Sequence, residues 1–514
     1  MALDLPPAAP PVAAVVAPAE DAASTMFVDS HGFRYAVTGN TLLPAALVRA
    51  TIEAAATPKD ALQALNEEYS KRGYFLTAIK GEVSRQLVSI TVLQGRITEA
   101  DLAPGVGSYF TGLEGQDDLN RNTVLRRTAL AEFYASRQGM RPVVGFAKAE
   151  AAGGSRITVT EEPVPDLKPW NASLSFGNLG SRFSSRYIAS AQGALRPGGG
   201  LELTAGVTQG LPGITEASAG SQYQSANLGG SIVTPWGIYG VSYNGIRYKI
   251  GERAAPLFPE GDIDVFAVNG VQLVYADETT RWSLSEAFTH TVNVVQVFDR
   301  SYSLTDQEYE FITLGTVVNK STRIFQQNTN IGAGLTGMFG ISPPKGTFLP
   351  VDVGVPNTRF AIIQANVNYQ QALPAGYLFN FSLNGQWADS TVPQNQQWIL
   401  GGLGNLSAWM PAVVVGDMGA LGRASVNTPS WTWDKLSVSA AAYVEGGIAR
   451  FHYTPPEFPT TRSLADAGVS LQGTVAGGTS LTLAYAVPVY YRNVERQIAD
   501  AQRSQVYFSL SQSF

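Results

Sequence analysis

From about residue 170 to the end of the chain, apolar and small polar residues alternate one by one. A strand turns successive side chains to opposite faces, so this pattern builds a sheet with one apolar and one polar side. In 361–370, Ala361, Ile363, Ala365, Val367 and Tyr369 alternate with Ile362, Gln364, Asn366, Asn368 and Gln370. In 377–388, Tyr377, Phe379, Phe381, Leu383 and Trp387 alternate with Asn380, Ser382, Asn384 and Gln386. Leu481, Leu483, Tyr485, Val487 and Val489 share a face. At the end of the chain Val506, Phe508, Leu510 and Phe514 face one way, and Ser509, Ser511 and Ser513 the other. A soluble sandwich strand usually carries Lys and Glu on its polar face; here that face holds Asn, Gln, Ser, Thr and Gly. Lipid outside and water inside impose this pattern on a transmembrane strand.

Composition fits a barrel with tight turns and aromatic girdles: charged residues are 15%, aromatics 10%, and glycine numbers 52. No apolar run reaches the ~18 residues that a membrane-spanning helix needs. The chain has no cysteine, which excludes disulfides and thiolate metal sites. A net charge of −6 and a pI near 5.3 argue against a nucleic-acid partner. The N-terminal segment MALDLPPAAPPVAAVVAPAE has no basic start and no unbroken apolar stretch. If the protein is exported, its signal peptide is expected to be absent from this chain, with Met1 added.

Residues 1–28 are expected to be a flexible leader, because Pro6, Pro7, Pro10, Pro11 and Pro18 break helices. Residues 29–168 are more charged and mix helix with strand. A strand over 33–40 precedes helices over 43–54 and 61–72, the second led by Pro58 and ended by Gly73. Leu62, Leu65 and Tyr69 recur at helical spacing. Strands are expected over 75–83 and 87–94. A degenerate second copy follows, with a helix over 119–138 and strands over 143–149 and 156–161. The expected units are 29–101 and 102–168. Residues 169–514 are expected to give sixteen strands, an even number that suits a closed barrel and leaves no open edge in lipid.

Two strand–helix–helix–strand–strand modules before a sixteen-stranded barrel ending in Phe514 resemble the outer-membrane transporters of two-partner secretion (TpsB, the haemolysin secretion/activation family). The small units resemble POTRA domains. They do so through Val37-Thr38-Gly39-Asn40, Tyr69 with Arg72-Gly73-Tyr74, and Gln94-Gly95-Arg96-Ile97. The fold class is therefore mainly β: a 16-stranded transmembrane antiparallel β-barrel preceded by two small α/β POTRA-like modules. The family carries a long loop between strands 11 and 12 that folds back into the pore, here 390–417. Gly401-Gly402 and Gly416-Asp417 match its pattern. Between them stands Leu406-Ser407-Ala408-Trp409, with Ser407 where the family has arginine, and 390–422 holds no Lys or Arg. Tyr443-Val444-Glu445-Gly446-Gly447 resembles the family's motif on strand 13. The resemblance implies that Glu445, with Tyr443 and Gly447, is the wall partner of the loop. Without the family's arginine, Glu445 pairs with Arg423 or accepts hydrogen bonds from Ser407. The competing readings are a solvated lumen charge for Glu445 and plain loop packing for Trp409.

No catalytic, cofactor or metal-binding residue is assigned. His31, His290 and His452 fall in three separate regions, and no phosphate-loop, HExxH or Ca²⁺-loop pattern occurs. The resemblance implies an outer-membrane transporter that is not an enzyme, with its POTRA-like units in the periplasm. There Leu62, Leu65, Tyr69 and Arg72 would receive an unfolded exoprotein, a TpsA-like adhesin or cytolysin. Outer-membrane lipid surrounds the barrel. The resemblance also implies that the barrel-assembly machinery reads Phe514 as an assembly signal, and a monomer without nucleic acid is expected. A barrel insertase of the same superfamily and a passive porin are the alternatives.

Overall fold

The computed structural model describes residues 25–514 except 117, 151–153, 166, 182–184, 215–220, 252–256, 258, 344–354 and 457. Most of the expected leader, 1–24, lies outside the described residues. Its last residues belong to a strand: β1 (Met26–Ser30) forms a hairpin with β2 (Phe33–Thr38). The tight turn rests on His31 and Gly32, at φ 48° and 79°. Glycine adopts such angles at no steric cost, which makes this turn possible.

The first unit continues with α1 (Ala45–Ala54), α2 (Pro58–Lys71), β3 (Thr77–Ser84) and β4 (Leu87–Gln94), in the sheet order β1-β2-β4-β3. Thr57 caps α2 by accepting the Asp60 amide at 3.2 Å, and Pro58 takes the first helical position, where its missing N–H costs nothing. Ala61, Leu65 and Tyr69 fall on one helical face and are buried against Tyr35, Val88 and Ile90 of the sheet.

The second unit starts at β5 (Arg96–Leu102), ahead of the expected boundary at 101/102. After α3 (Arg121–Ser136) come β6 (Met140–Lys148) and β7 (Gly154–Pro163), in the order β5-β7-β6. A single turn at Val106–Tyr109 stands where the first unit has α1.

Among the described residues, sixteen antiparallel strands close into a barrel. The first eight are Trp170–Gly177, Ile188–Gly198, Leu201–Gly210, Gln222–Thr234, Gly237–Lys249, Glu260–Ala276, Thr280–Val297 and Tyr302–Ile324. The ninth to eleventh are Gln327–Gly340, Ala361–Ala372 and Leu378–Ala388. The twelfth is Met418–Asn427, continued by Trp431–Trp433. Leu436–Arg450, Thr461–Val475, Thr479–Arg492 and Val506–Ser513 complete the barrel, the last pairing with the first. The outward set is exposed and apolar, including Leu335, Ile363, Leu383, Val444, Val469, Leu481 and Leu510. No helix among the described residues is long and apolar enough to cross a membrane.

The second unit is docked on the turns at one end of the barrel. Val233, Leu273 and Ala276 of the barrel join its hydrophobic core. Tyr109 donates to the Val233 carbonyl at 3.0 Å. Arg137 donates to the carbonyls of Gly200 and Ser231 at 2.7 and 2.8 Å. These bonds tie the unit to the backbone of the barrel's turns and strand ends.

Candidate functional site: a loop inserted in the barrel

The chain between the eleventh and twelfth strands, 389–417, folds into the barrel at the end away from the small units. Its base packs on the eighth-strand wall: Val392 lies in one apolar cluster with Tyr309, Phe311 and Phe360. The Tyr309 hydroxyl meets Asn395 and Gln396 of the loop. Asp417 is buried and accepts the amides of Val392 at 3.0 Å and His452 at 2.8 Å, tying both ends of the loop to the following hairpin. A short ladder, Trp398–Leu400 with Val414–Gly416, forms the stem.

The tip is a tight turn that needs its glycines. Gly401 and Gly402 have φ of 110° and 103°, and a Cβ on Gly401 would stand 2.2 Å from the Met410 carbonyl. Gly402 donates to the Trp409 carbonyl at 2.8 Å, which closes the turn. Leu406, Ser407, Ala408 and Trp409 are all buried, Trp409 at 1% exposure. Leu406 and Trp409 pack with Leu421, Tyr443, Leu464 and Ala486 of the wall. Gly447 is the floor beneath them; a Cβ there would press on Leu400 and Leu406 at about 3 Å.

Three inward residues on neighbouring strands hold the tip. Arg423, Glu445 and Asp466 lie directly opposite one another on the twelfth, thirteenth and fourteenth strands. Glu445 accepts the Ser407 amide at 2.7 Å and the Ser407 hydroxyl at 2.8 Å through one oxygen, and Arg423 at 2.5 Å through the other. Asp466 accepts the Ala408 amide at 2.6 Å. Arg423 also lies over the Tyr443 ring at 4.4 Å. A carboxylate out of water is tolerable only with such donors. The two alternatives for Glu445, an Arg423 pair and Ser407 hydrogen bonds, thus occur together.

Sequence reasoning missed Asp466 and the segment before the last strand. Met410 donates to the Gln502 carbonyl at 2.8 Å, Ser504 to the Ala408 carbonyl at 2.9 Å, and the Tyr507 hydroxyl to the Trp409 carbonyl. The signal for Asp466 is a lone carboxylate in Leu464-Ala465-Asp466-Ala467-Gly468, on the polar alternation of a strand otherwise apolar there.

The residues assigned to client contact do not form one surface. Leu65 and Tyr69 are core residues of the first unit, each 1% exposed, so neither can touch a client; the helical spacing that singled them out marks the face turned to the sheet. Leu62 leans on Gly81 of the edge strand β3, and Arg72 pairs with Glu68 on the surface. Phe514 is half exposed, with its amide on the Ala172 carbonyl. His290 is not isolated: its Nδ1 lies 3.2 Å from Glu310, with Glu308 beside them.

The haemolysin secretion/activation protein family (ShlB/FhaC/HecB) matches the chain over residues 153–473, well over half of it. The heme/hemopexin transporter protein HuxB of Haemophilus influenzae is 19% identical over 449 residues, which cover 84% of this chain and 76% of HuxB. Of solved structures, CdiB from Escherichia coli aligns with a TM-score of 0.75 at 16% identity, covering 97% of this chain and 92% of that one. CdiB from Acinetobacter baumannii gives 0.71 at 13% identity, covering 96% and 91%. At these identities the structural likeness is one of fold.

Proposed function

The chain belongs to the haemolysin secretion/activation family and is an outer-membrane transporter that passes an exoprotein through its β-barrel, and on that premise we propose how its parts divide the work. The two small units stand in the periplasm and receive the unfolded exoprotein, a TpsA-like adhesin or cytolysin. Reception uses the edge of β3, which is free among the described residues, and the groove beside α2, where Leu62 borders the edge; an extended segment adds there as a further strand. The barrel-assembly machinery recognises the C-terminal strand with Phe514, and the protein works as a monomer.

The loop at 389–417 is the gate. The observation that carries this reading is the anchor: a loop crossing a closed barrel, pinned to its wall by Glu445 and Asp466 at Ser407 and Ala408. Release of these bonds opens the lumen to the client, and folding of the client outside draws it through.

Co-expression with the cognate exoprotein tests the reading. Deleting 29–168 should leave a heat-modifiable, folded barrel and no exoprotein outside the cell. Normal secretion by that deletion would remove the receiving role from the small units.

A further inference from the structure

On the other side of the inserted loop, at the mouth facing the small units, the lumen wall encloses a cavity of about 790 Å³. One feature of its lining is unlike an ordinary solvated wall. Ser321, Asn330, Gln370, Asn380 and Ser425 lie directly opposite one another on five consecutive strands, the eighth to the twelfth. Ser321 donates to Asn330 at 2.8 Å, Asn330 to Gln370 at 3.3 Å, and Gln370 to Asn380 at 3.1 Å. The side-chain bonds run in one direction, Asn330 and Gln370 each giving one N–H to the next residue.

An amide has two N–H donors and two acceptor lone pairs. Each bonded amide of the row therefore keeps a second N–H and a second lone pair for the lumen, and Asn380 keeps both N–H groups. A side-chain amide offers the same donors and acceptors as a peptide group. The row thus presents to the lumen a series of neutral peptide-like sites. Neighbouring strands stand ~4.8 Å apart, so five positions span about 19 Å, the reach of roughly six residues of extended chain. Arg281, Lys320 and Arg423 also border the cavity, and no carboxylate does among the described residues.

We propose that this row is a binding surface for the main chain of an extended polypeptide segment about six residues long, held there before it passes the loop. The proposal rests on the reading of the barrel as the client's passage, and it adds where inside the barrel the client is held and by what chemistry. A glycan is the other neutral hydrogen-bonding ligand. Sugar rings are commonly held on aromatic faces; Tyr369 and Phe381 border the cavity in the strands, but they alternate with the inward pair Gln370 and Asn380 and so turn their rings outward. The observations therefore favour a peptide.

The chain contains no cysteine, so Ser382→Cys gives a single labelling site, and Ser382 borders the cavity. An environment-sensitive fluorophore there, on the full chain in lipid nanodiscs, reports occupancy of the lumen and not of the small units. The probe is an unstructured thirty-residue peptide of Gly, Ser, Thr and Asn. The fluorescence should titrate saturably, and the triple change Asn330→Leu, Gln370→Leu and Asn380→Leu should weaken the midpoint at least tenfold. A midpoint within twofold of the parent, or equal competition by maltohexaose, overturns the proposal. Should the leucine variant fail to migrate as a heat-modifiable barrel, Asn330→Asp with Gln370→Glu replaces it at nearly constant shape. That pair should favour a lysine-bearing probe over a glutamate-bearing one at least fivefold relative to the parent, and an unchanged preference overturns the proposal. Secretion by the parent is measured in parallel. Its failure would remove the transport reading itself, whereas normal secretion with indifferent row variants removes only this surface.

Discussion

Arg423 and Glu445 meet at 2.5 Å across the twelfth and thirteenth strands, and both belong to the wall, not to the loop they hold. The loop contributes only neutral donors: the Ser407 amide and hydroxyl and the Ala408 amide. In the proposed opening, the guanidinium stays with its carboxylate. An arginine on the loop would instead have to be pulled from Glu445, leaving a lumen charge without its partner. Breaking one half of a buried pair is the costly act in such sites. Ser407 and Arg423 together therefore keep the charge on the fixed part and make the moving part cheap to release.

Glu445→Gln should loosen the loop more than a single lost hydrogen bond would. Three donors converge on that carboxylate, and charge-assisted bonds contribute about 1.5–3 kcal/mol each. The wet lumen screens the Arg423 side, so a net cost of about 2 kcal/mol is expected. In planar bilayers the variant should open at least tenfold more often than the parent. Unchanged opening would show that the loop is held by packing alone.

Moving the cation tests its present place. Ser407→Arg by itself sets a second guanidinium near Arg423 in a site where Ser407 is fully buried, so opening should become more frequent. Ser407→Arg with Arg423→Ser transfers the charge to the loop and should close the pore at least as firmly as in the parent. A single variant tighter than the double would refute this placement of the charge.

The barrel was readable because period-two alternation needs no partner to be recognised, and the strand count follows from it. The anchor was only half readable. Glu445 and Ser407 could be singled out along the chain, but the row Arg423–Glu445–Asp466 exists only once three strands are in register. A shift of one residue would turn each of these side chains to lipid, and alternation alone does not say which residues stand opposite. For the same reason the expected partners of Glu445, Arg423 and Ser407, left out the Asp466 bond to Ala408 and the segment 502–504. The β1 hairpin escaped because Met26-Phe27-Val28 follows a Pro/Ala-rich stretch that masks so short a strand.

Packing still matters at Trp409. Its side chain is among the largest fully buried in the protein, and truncating such an aromatic usually costs about 3–5 kcal/mol. The tip is also paired to 502–504 through backbone bonds that a side-chain change leaves intact. Trp409→Ala should thus unseat the tip without unfolding the barrel. The expected signature is larger conductance steps with unchanged heat-modifiable migration. A variant that loses the heat-modifiable band would instead make Trp409 part of the barrel's own fold.

Docking of the second unit should depend on pH through Glu132 of α3. Burial raises its pKa above the ordinary 4.5, and the nearby positive charge of Arg281 opposes that rise without cancelling it. The docked state therefore holds this proton to higher pH than the undocked or unfolded chain does. Its contribution to stability is full below 4.5 and is lost as pH rises through the raised value, because ionising a buried carboxyl loses solvation. Hydrogen exchange of α3, corrected for the intrinsic pH dependence, should show protection falling across that window. Glu132→Gln removes the ionisation and should make protection flat over the same range. Arg281→Met removes the opposing charge and should move the fall to higher pH. A parent protein whose α3 protection stays flat across that window, as in Glu132→Gln, would mean that water reaches Glu132 in the docked state and that the interface around it is open.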